Sequence, residues 1–276
     1  MIDPIDRQRM ANLSKIFDFA DAEHFSLPAS LSEARDVHRR LQEAHSTASA
    51  EYERLRRAGV TGELAGDVLK AAEAGKAWPD PGPRALEAEE AIAAARLRLD
   101  VLAEASTAAM RSLVYGSHFE ELIEGHLRPA LAEVVAAVQA LVPVLEGRNV
   151  ESPENFMKAP DSARVAYNQL TDLDFRYRSI RSAQAAASRL LGGAQIDTAS
   201  KFAELRDPEA VGVPISSGNA REVSMPIPAH PLAKLVWIAT TAKDEVWVPL
   251  PHEMDEQAAG YFKAAADRRF AGHPGL

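Results

Sequence analysis

The sequence predicts an all-α protein: an elongated antiparallel helical bundle or coiled coil, followed by a small C-terminal unit of one β-hairpin and one helix. Three heptad tracks predict it. The clearest runs Ala163, Ala166, Leu170, Leu173, Tyr177, Ile180, Gln184, Ala187, Leu191. A second runs Ala85, Ala88, Ile92, Ala95, Leu99, Leu102, Ser106, Ala109, Leu113, and a looser third runs Ala34, Val37, Leu41, Ala44, Ala48, Tyr52, Leu55. Spacings that alternate three and four keep a narrow apolar stripe facing a partner helix, and alanine lets the two backbones approach. Composition agrees. The chain is 46% hydrophobic but only 6% aromatic, so its apolar content lies in small side chains suited to thin helical seams.

Residues 1–29 read as an N-terminal arm with a short helix. Asp3 and Pro4 suit the N-cap and first helical position, and Met10, Leu13 and Phe17 share one face. Residues 30–193 read as the bundle. Ser30 and Glu33 form a capping-box pattern that opens a helix over about 31–57, stopped by Gly59. A weaker helical piece over 63–75 leads to the proline-rich linker 76–84, where three prolines exclude regular helix. The pattern is then helical over 84–146, about 60 residues or ~90 Å long. Its phase slips at Tyr115-Gly-Ser-His118, and Pro129 and Pro143 predict kinks because each lacks a backbone donor. The last long helix covers 161–191, with Gly192-Gly193 as its stop. Helix lengths suggest that 31–57 packs on 84–113 and that 161–191 packs back on 119–146. The alternative is that each seam faces a second copy of the chain.

Residues 194–230, with four prolines and Ser216-Ser-Gly-Asn219, read as an extended connector. Residues 231–276 read as the small C-terminal unit. Leu235-Val-Trp-Ile238 and Val246-Trp-Val248 are β-branched and aromatic and suggest a hairpin. A helix begun by Pro231 through Leu235 and Ala239 is the alternative. A helix over 255–270 closes the chain.

Charge and composition narrow the function classes. The net charge of −9 disfavours a general nucleic-acid or anionic-lipid binder. With no cysteine, disulfides, thiolate nucleophiles and cysteine metal sites are excluded. No basic-then-apolar leader opens the sequence, and no run of about 18 uninterrupted apolar residues suggests a membrane span. A cytoplasmic protein, or one assembled into a particle, is the expectation.

Catalytic motifs are absent. Neither the Gly-x-Ser-x-Gly elbow nor a phosphate-binding glycine loop occurs. His118, Glu121 and His126 are weak metal candidates, because the Glu-x-x-His pattern of di-iron bundles fails at Ile123. No cofactor is expected. Arg176, Arg178 and Arg181 put cations beside Phe175 and Tyr177, a pattern that would suit phosphate contact. On the heptad track they flank the seam instead, where pairing with glutamates of a neighbouring helix is favoured. Type VII secretion substrates, which are helical hairpins of similar size, carry Trp-x-Gly in the turn. Here Trp78 is followed by Pro79 and Asp80, so that signature is missing.

The reading that results is a non-catalytic assembly, scaffold or adaptor component acting through protein contacts, by self-association or within a larger assembly. Phage or prophage morphogenesis is one such setting. The interface candidates are Leu170, Leu173, Tyr177, Ile180, Leu99, Leu102, Trp237 and Trp247. The alternatives are a regulatory nucleic-acid module using the Arg176–Arg181 face and an enzyme with an unrecognised site.

Overall fold

The computed structural model describes residues 4–58, 60–77, 80, 82–192, 201–213 and 227–271. Trp78, Gly59, Gly193 and most of the expected connector, including Ser216–Asn219, lie outside them. The described residues are mostly helical and form no sheet, consistent with the all-α class. Contacts divide the chain into two compact units, Ala29–Gly116 and the combination of Met1–Pro28 with Ser117–Leu276. The helices expected in one bundle over 30–193 are thus distributed between both.

The Ala29–Gly116 unit contains α1 (Ala29–Ala58), α2 (Val60–Glu73) and α3 (Gly82–Tyr115). Helices α1 and α3 pack along each other as a hairpin, with Arg98 and Glu51 paired across it at 3.0 Å. Arg84 binds Asp67 at 2.6 Å and ties α2 to the start of α3. The α3 track predicted from sequence is its covered side: Ala95 and Leu113 are buried, and Ile92, Leu99 and Leu102 are half-buried. On α1 five of the seven track positions are covered, and at the other two, Val37 and Ala44, the next residue is covered instead. Val37 is 43% exposed, whereas His38 is 8% exposed and Ala48 is buried. The covered residues are Ala34, His38, Leu41, His45, Ala48, Tyr52 and Leu55, all buried or half-buried. Their spacing alternates four and three without a fault, so the looseness of the third track came from preferring valine and alanine over histidine.

The other unit begins with an N-terminal helix, Pro4–Asp21, which packs on the long helix Asp161–Leu190. Arg9 donates to the Leu190 carbonyl at 3.2 Å, and Arg176 donates to the His24 carbonyl at 2.8 Å. The two helices are therefore antiparallel. Leu13 and Ile16 fill the seam between them. The heptad track on 161–190 is buried as a single stripe only in its N-terminal half. From Ser179 onward Ile180, Ala183, Gln184, Ala186, Ala187 and Ser188 are all buried, because other helices cover this stretch from more than one side. Small side chains make that enclosure possible.

The expected helix over 84–146 is broken. It ends at Tyr115, turns at Gly116-Ser117, and resumes as consecutive helical segments: α-helix His118–Glu121, a π-turn Leu122–Leu127, α-helix Arg128–Leu141 and a 3-10 turn Val142–Leu145. The phase slip is the crossing point between units. Pro129 lacks the N–H that an α-helix would need there, and the π-turn precedes it, with the Arg128 N–H reaching back to the Ile123 carbonyl. The stretch His118–Leu145 is long and apolar enough to cross a membrane by length and composition, but 33% of its most apolar window is buried inside the protein. It packs on the helix Asp161–Leu190 and on a second helix, Pro231–Thr240.

The expected β-hairpin does not form. Leu235–Ile238 lies inside the helix Pro231–Thr240, which Pro231 opens at its first position. Leu232, Leu235, Ile238, Ala239 and Ala242 are buried at helical spacing, so tertiary burial overrides the β preference of valine, isoleucine and tryptophan. Val246 instead makes one isolated antiparallel bridge to Leu205. Residues 201–213 carry two short 3-10 turns, and Leu205 and Val213 pack with Ala242 against Trp237 and Val246. The closing helix is Pro251–Ala271.

Candidate functional site

The residues singled out from sequence take up structural places. His118 is half-buried with its ring edge-on to Phe119, and Glu121 is exposed. His126 Nδ1 lies 2.7 Å from Ser26 Oγ. Among the described residues no three side chains of metal-binding type converge. Leu170, Tyr177 and Ile180 are buried and Leu173 is half-buried within their own unit. Leu99 and Leu102 lie on the covered side of the hairpin. Trp237 packs on the Leu205 cluster, and Trp247 donates its indole N–H to the Phe202 carbonyl at 3.0 Å.

The three arginines are committed within the chain. Arg176 pairs with Glu133 at 2.7 Å, the neighbouring-helix glutamate that the heptad reading favours. Arg178 pairs with the buried Asp174 at 2.9 Å. Arg181 enters a polar clamp that sequence reasoning missed. Its guanidinium donates to the Trp247 carbonyl at 2.6 Å, to Gln184 Oε1 at 3.0 Å and to the Glu204 carbonyl at 3.3 Å. Its Nε reaches the Tyr177 hydroxyl at 3.2 Å. Tyr177 donates to the Glu204 carboxylate, which also takes Lys234 Nζ at 2.7 Å.

Electrostatics agree with this geometry. Burial pushes the Glu204 carboxyl upward, but Arg181 and Lys234, with hydrogen bonds from Lys234 and Tyr177, outweigh it and hold the group below the usual carboxylate range. Burial raises the Tyr177 phenol far above its ordinary value. The one sequence signal for the clamp was Gln184, a polar residue on a heptad position, where a buried amide must find partners.

An open cleft of about 510 Å³ shares Trp247 with the clamp. Its floor is the face of Arg128–Leu141 that carries Leu131, Ala132, Val135 and Ala136, and its wall is Val246-Trp247-Val248. Consecutive turns of one helix supply the floor because those residues sit at i, i+1, i+4 and i+5. Arg128 holds the wall in place, donating to the Val248 carbonyl at 2.9 Å and pairing with Glu253. Glu253 in turn accepts the Leu250 N–H at 2.7 Å at the start of Pro251–Ala271. Arg206 lies over the Trp247 ring at 5.3 Å. Arg206 and Lys243 make no ion pair with any described residue, and Asp244 is the remaining charge on the rim. The lining holds no serine, threonine, histidine or tyrosine. This chemistry suits binding an anionic group attached to an apolar body.

A second cleft, of about 380 Å³, contains the Ser26–His126 pair with Glu23, Glu133 and Arg176. The other His126 nitrogen makes no hydrogen bond with a described residue, and a nucleophile–base pair needs such a third group to orient the base. Its members are 100 residues apart, so no local motif could have announced the pair. Searches of protein-family models, curated proteins and solved structures find nothing that matches the chain.

Proposed function

We propose that the chain is a non-catalytic helical adaptor or assembly component that works through protein contacts. The observation that carries this reading is the cleft over Leu131–Ala136. It has an apolar floor, an aromatic wall and two cations, Arg206 and Lys243, with no ion partner among the described residues. A protein of net charge −9 that keeps two such cations beside a tryptophan is suited to an acidic, aromatic-containing segment of another protein. Arg and Trp are the residue types that most often anchor interfaces. Phage or prophage morphogenesis remains one setting for such a component.

Selection from a random peptide-display library on the full chain tests it. Enrichment of sequences that combine acids with aromatic residues is expected. Their affinity is expected to fall at least about tenfold, or ~1.4 kcal/mol, in the double variant Arg206→Glu/Lys243→Glu. Recovery of no consensus, or of peptides indifferent to that variant, counts against the reading. The nucleic-acid alternative is disfavoured because Arg176, Arg178 and Arg181 are each engaged by a carboxylate or by backbone carbonyls.

A further inference from the structure

Helix α3 has two apolar sides. One is the covered side, centred on Ala95 and Leu113. The other carries every large apolar side chain of α3 that is exposed: Leu86 (58%), Leu97 (66%), Val101 (56%) and Tyr115 (54%). At 100° per residue these four fall in a sector about 60° wide, and Ala95 and Leu113 lie about 180° from Leu86. Ala93 and Ala108 lie in or beside the same sector. The stripe therefore runs from one end of the helix to the other, about 43 Å. Scattered exposed apolar residues need no explanation, but apolar residues confined to one sector opposite a used seam, interrupted only by Glu90, Glu104 and Arg111, do.

We infer that this stripe binds the same stripe of a second copy of the chain, with the two α3 helices antiparallel. The charges on the stripe choose the occupant and the direction. Glu90 lies near the Leu86 end and Arg111 near the Tyr115 end, and neither makes an ion pair with a described residue. Pairing positions that sum to 201 brings Glu90 of each copy opposite Arg111 of the other and Ala93 opposite Ala108. Leu86 then meets Tyr115, and Val101 lies beside the two-fold axis. Asp100, also near the axis, is held by Arg96 of its own helix at 4.0 Å. Glu104 comes opposite Leu97, where its methylenes can cover the leucine. A parallel pair would instead oppose Glu90 to Glu90, Glu104 to Glu104 and Arg111 to Arg111. A two-fold pairing of this kind closes on itself and uses one patch twice. The inference deepens the protein-contact reading by naming one partner, and it does not involve the cleft residues.

The natural chain has no cysteine, so single cysteines report the geometry directly. Under mild oxidation the full-length Val101→Cys chain is expected to form a disulfide-linked dimer. Leu86→Cys is expected to form none, because antiparallel helices hold its two copies about 43 Å apart. An equimolar mixture of Ala93→Cys and Ala108→Cys chains is expected to give only the mixed dimer. By light scattering the unmodified chain is expected at twice the chain mass, and Leu97→Glu is expected to raise the dissociation constant at least about 30-fold with an unchanged circular dichroism spectrum.

A monomer at high concentration overturns the inference, as does a disulfide-linked dimer of the Leu86→Cys chain or a dimer indifferent to Leu97→Glu. None of these results touches the peptide selection, so the self-pairing can fail while the adaptor reading stands, and the reverse.

Discussion

Arg181 Nη1 donates to the Trp247 carbonyl at 2.6 Å, joining side chain and backbone 66 residues apart. The same guanidinium also serves Tyr177, Gln184 and the Glu204 carbonyl. One planar cation therefore anchors two loop segments, 202–205 and 246–248, to the long helix.

Arg181→Met is expected to destabilise the chain by about 3 kcal/mol, because it leaves Glu204 and several carbonyls short of donors. Arg181→Lys is expected to recover less than half, since an ammonium cannot fan out to the same acceptors. Urea unfolding measures both. A midpoint for Arg181→Met equal to that of the parent chain would show that the clamp adds nothing to stability.

Tyr177 keeps its proton well above the ordinary phenol range because burial disfavours the phenolate. In the unfolded chain it ionises near pH 10, so its contribution to stability is complete below that pH and is lost as pH rises beyond it. Absorbance titration of the five tyrosines is expected to leave one un-ionised until the chain unfolds. In Tyr177→Phe that delayed component disappears.

His38 works in the opposite direction. Burial holds its pKa below the ordinary histidine value, so the folded hairpin refuses a proton that the unfolded chain accepts. Stability of the α1–α3 hairpin should therefore fall as pH drops below about 6.5, then level off below the folded pKa. Thermal melts at about pH 7.5 and 5.5 are expected to differ less in His38→Gln than in the parent. Equal pH slopes in the two proteins would contradict this.

Ala183→Leu adds three carbons where no space remains, since Ala183 is fully buried between helices. A loss of about 1–3 kcal/mol is expected. Gln169→Leu, on the exposed side of the same helix, is expected to change stability by less than about 0.5 kcal/mol. The comparison separates overpacking from a general effect of added leucine.

The helices were legible because burial on a helix repeats every 3.6 residues, and the tracks of α3 and of 161–190 report that period directly. On α1 the track departs from the covered side at two positions, Val37 and Ala44, because His38 and His45 count as polar in composition yet lie on the covered side of the helix. The hairpin was misread for a related reason. Valine, isoleucine and tryptophan favour strands locally, yet Pro231 and the burial of Leu232, Leu235 and Ile238 make a helix the better packed choice. The cleft has no signature in the sequence, and the clamp has only Gln184, a polar residue on a heptad position. Arg206 and Trp247 carry no mutual spacing, and they meet only because Leu205 and Val246 bridge one another. Glu204 in particular sits in an apolar stretch, Phe202-Ala-Glu-Leu205, where sequence alone suggests an exposed charge.

The contact of Arg9 with Leu190 spans 181 positions, and the whole Ala29–Gly116 unit lies between those two residues in the sequence. During synthesis the N-terminal helix leaves the ribosome long before the helix it packs on exists. The intervening hairpin has only local contacts to close and is expected to be folded by then, whereas its host must wait for the downstream helices. Time is thus built into the topology: a stalled or truncated chain is expected to carry a finished hairpin and an amphipathic N-terminal helix whose partner has not yet been made.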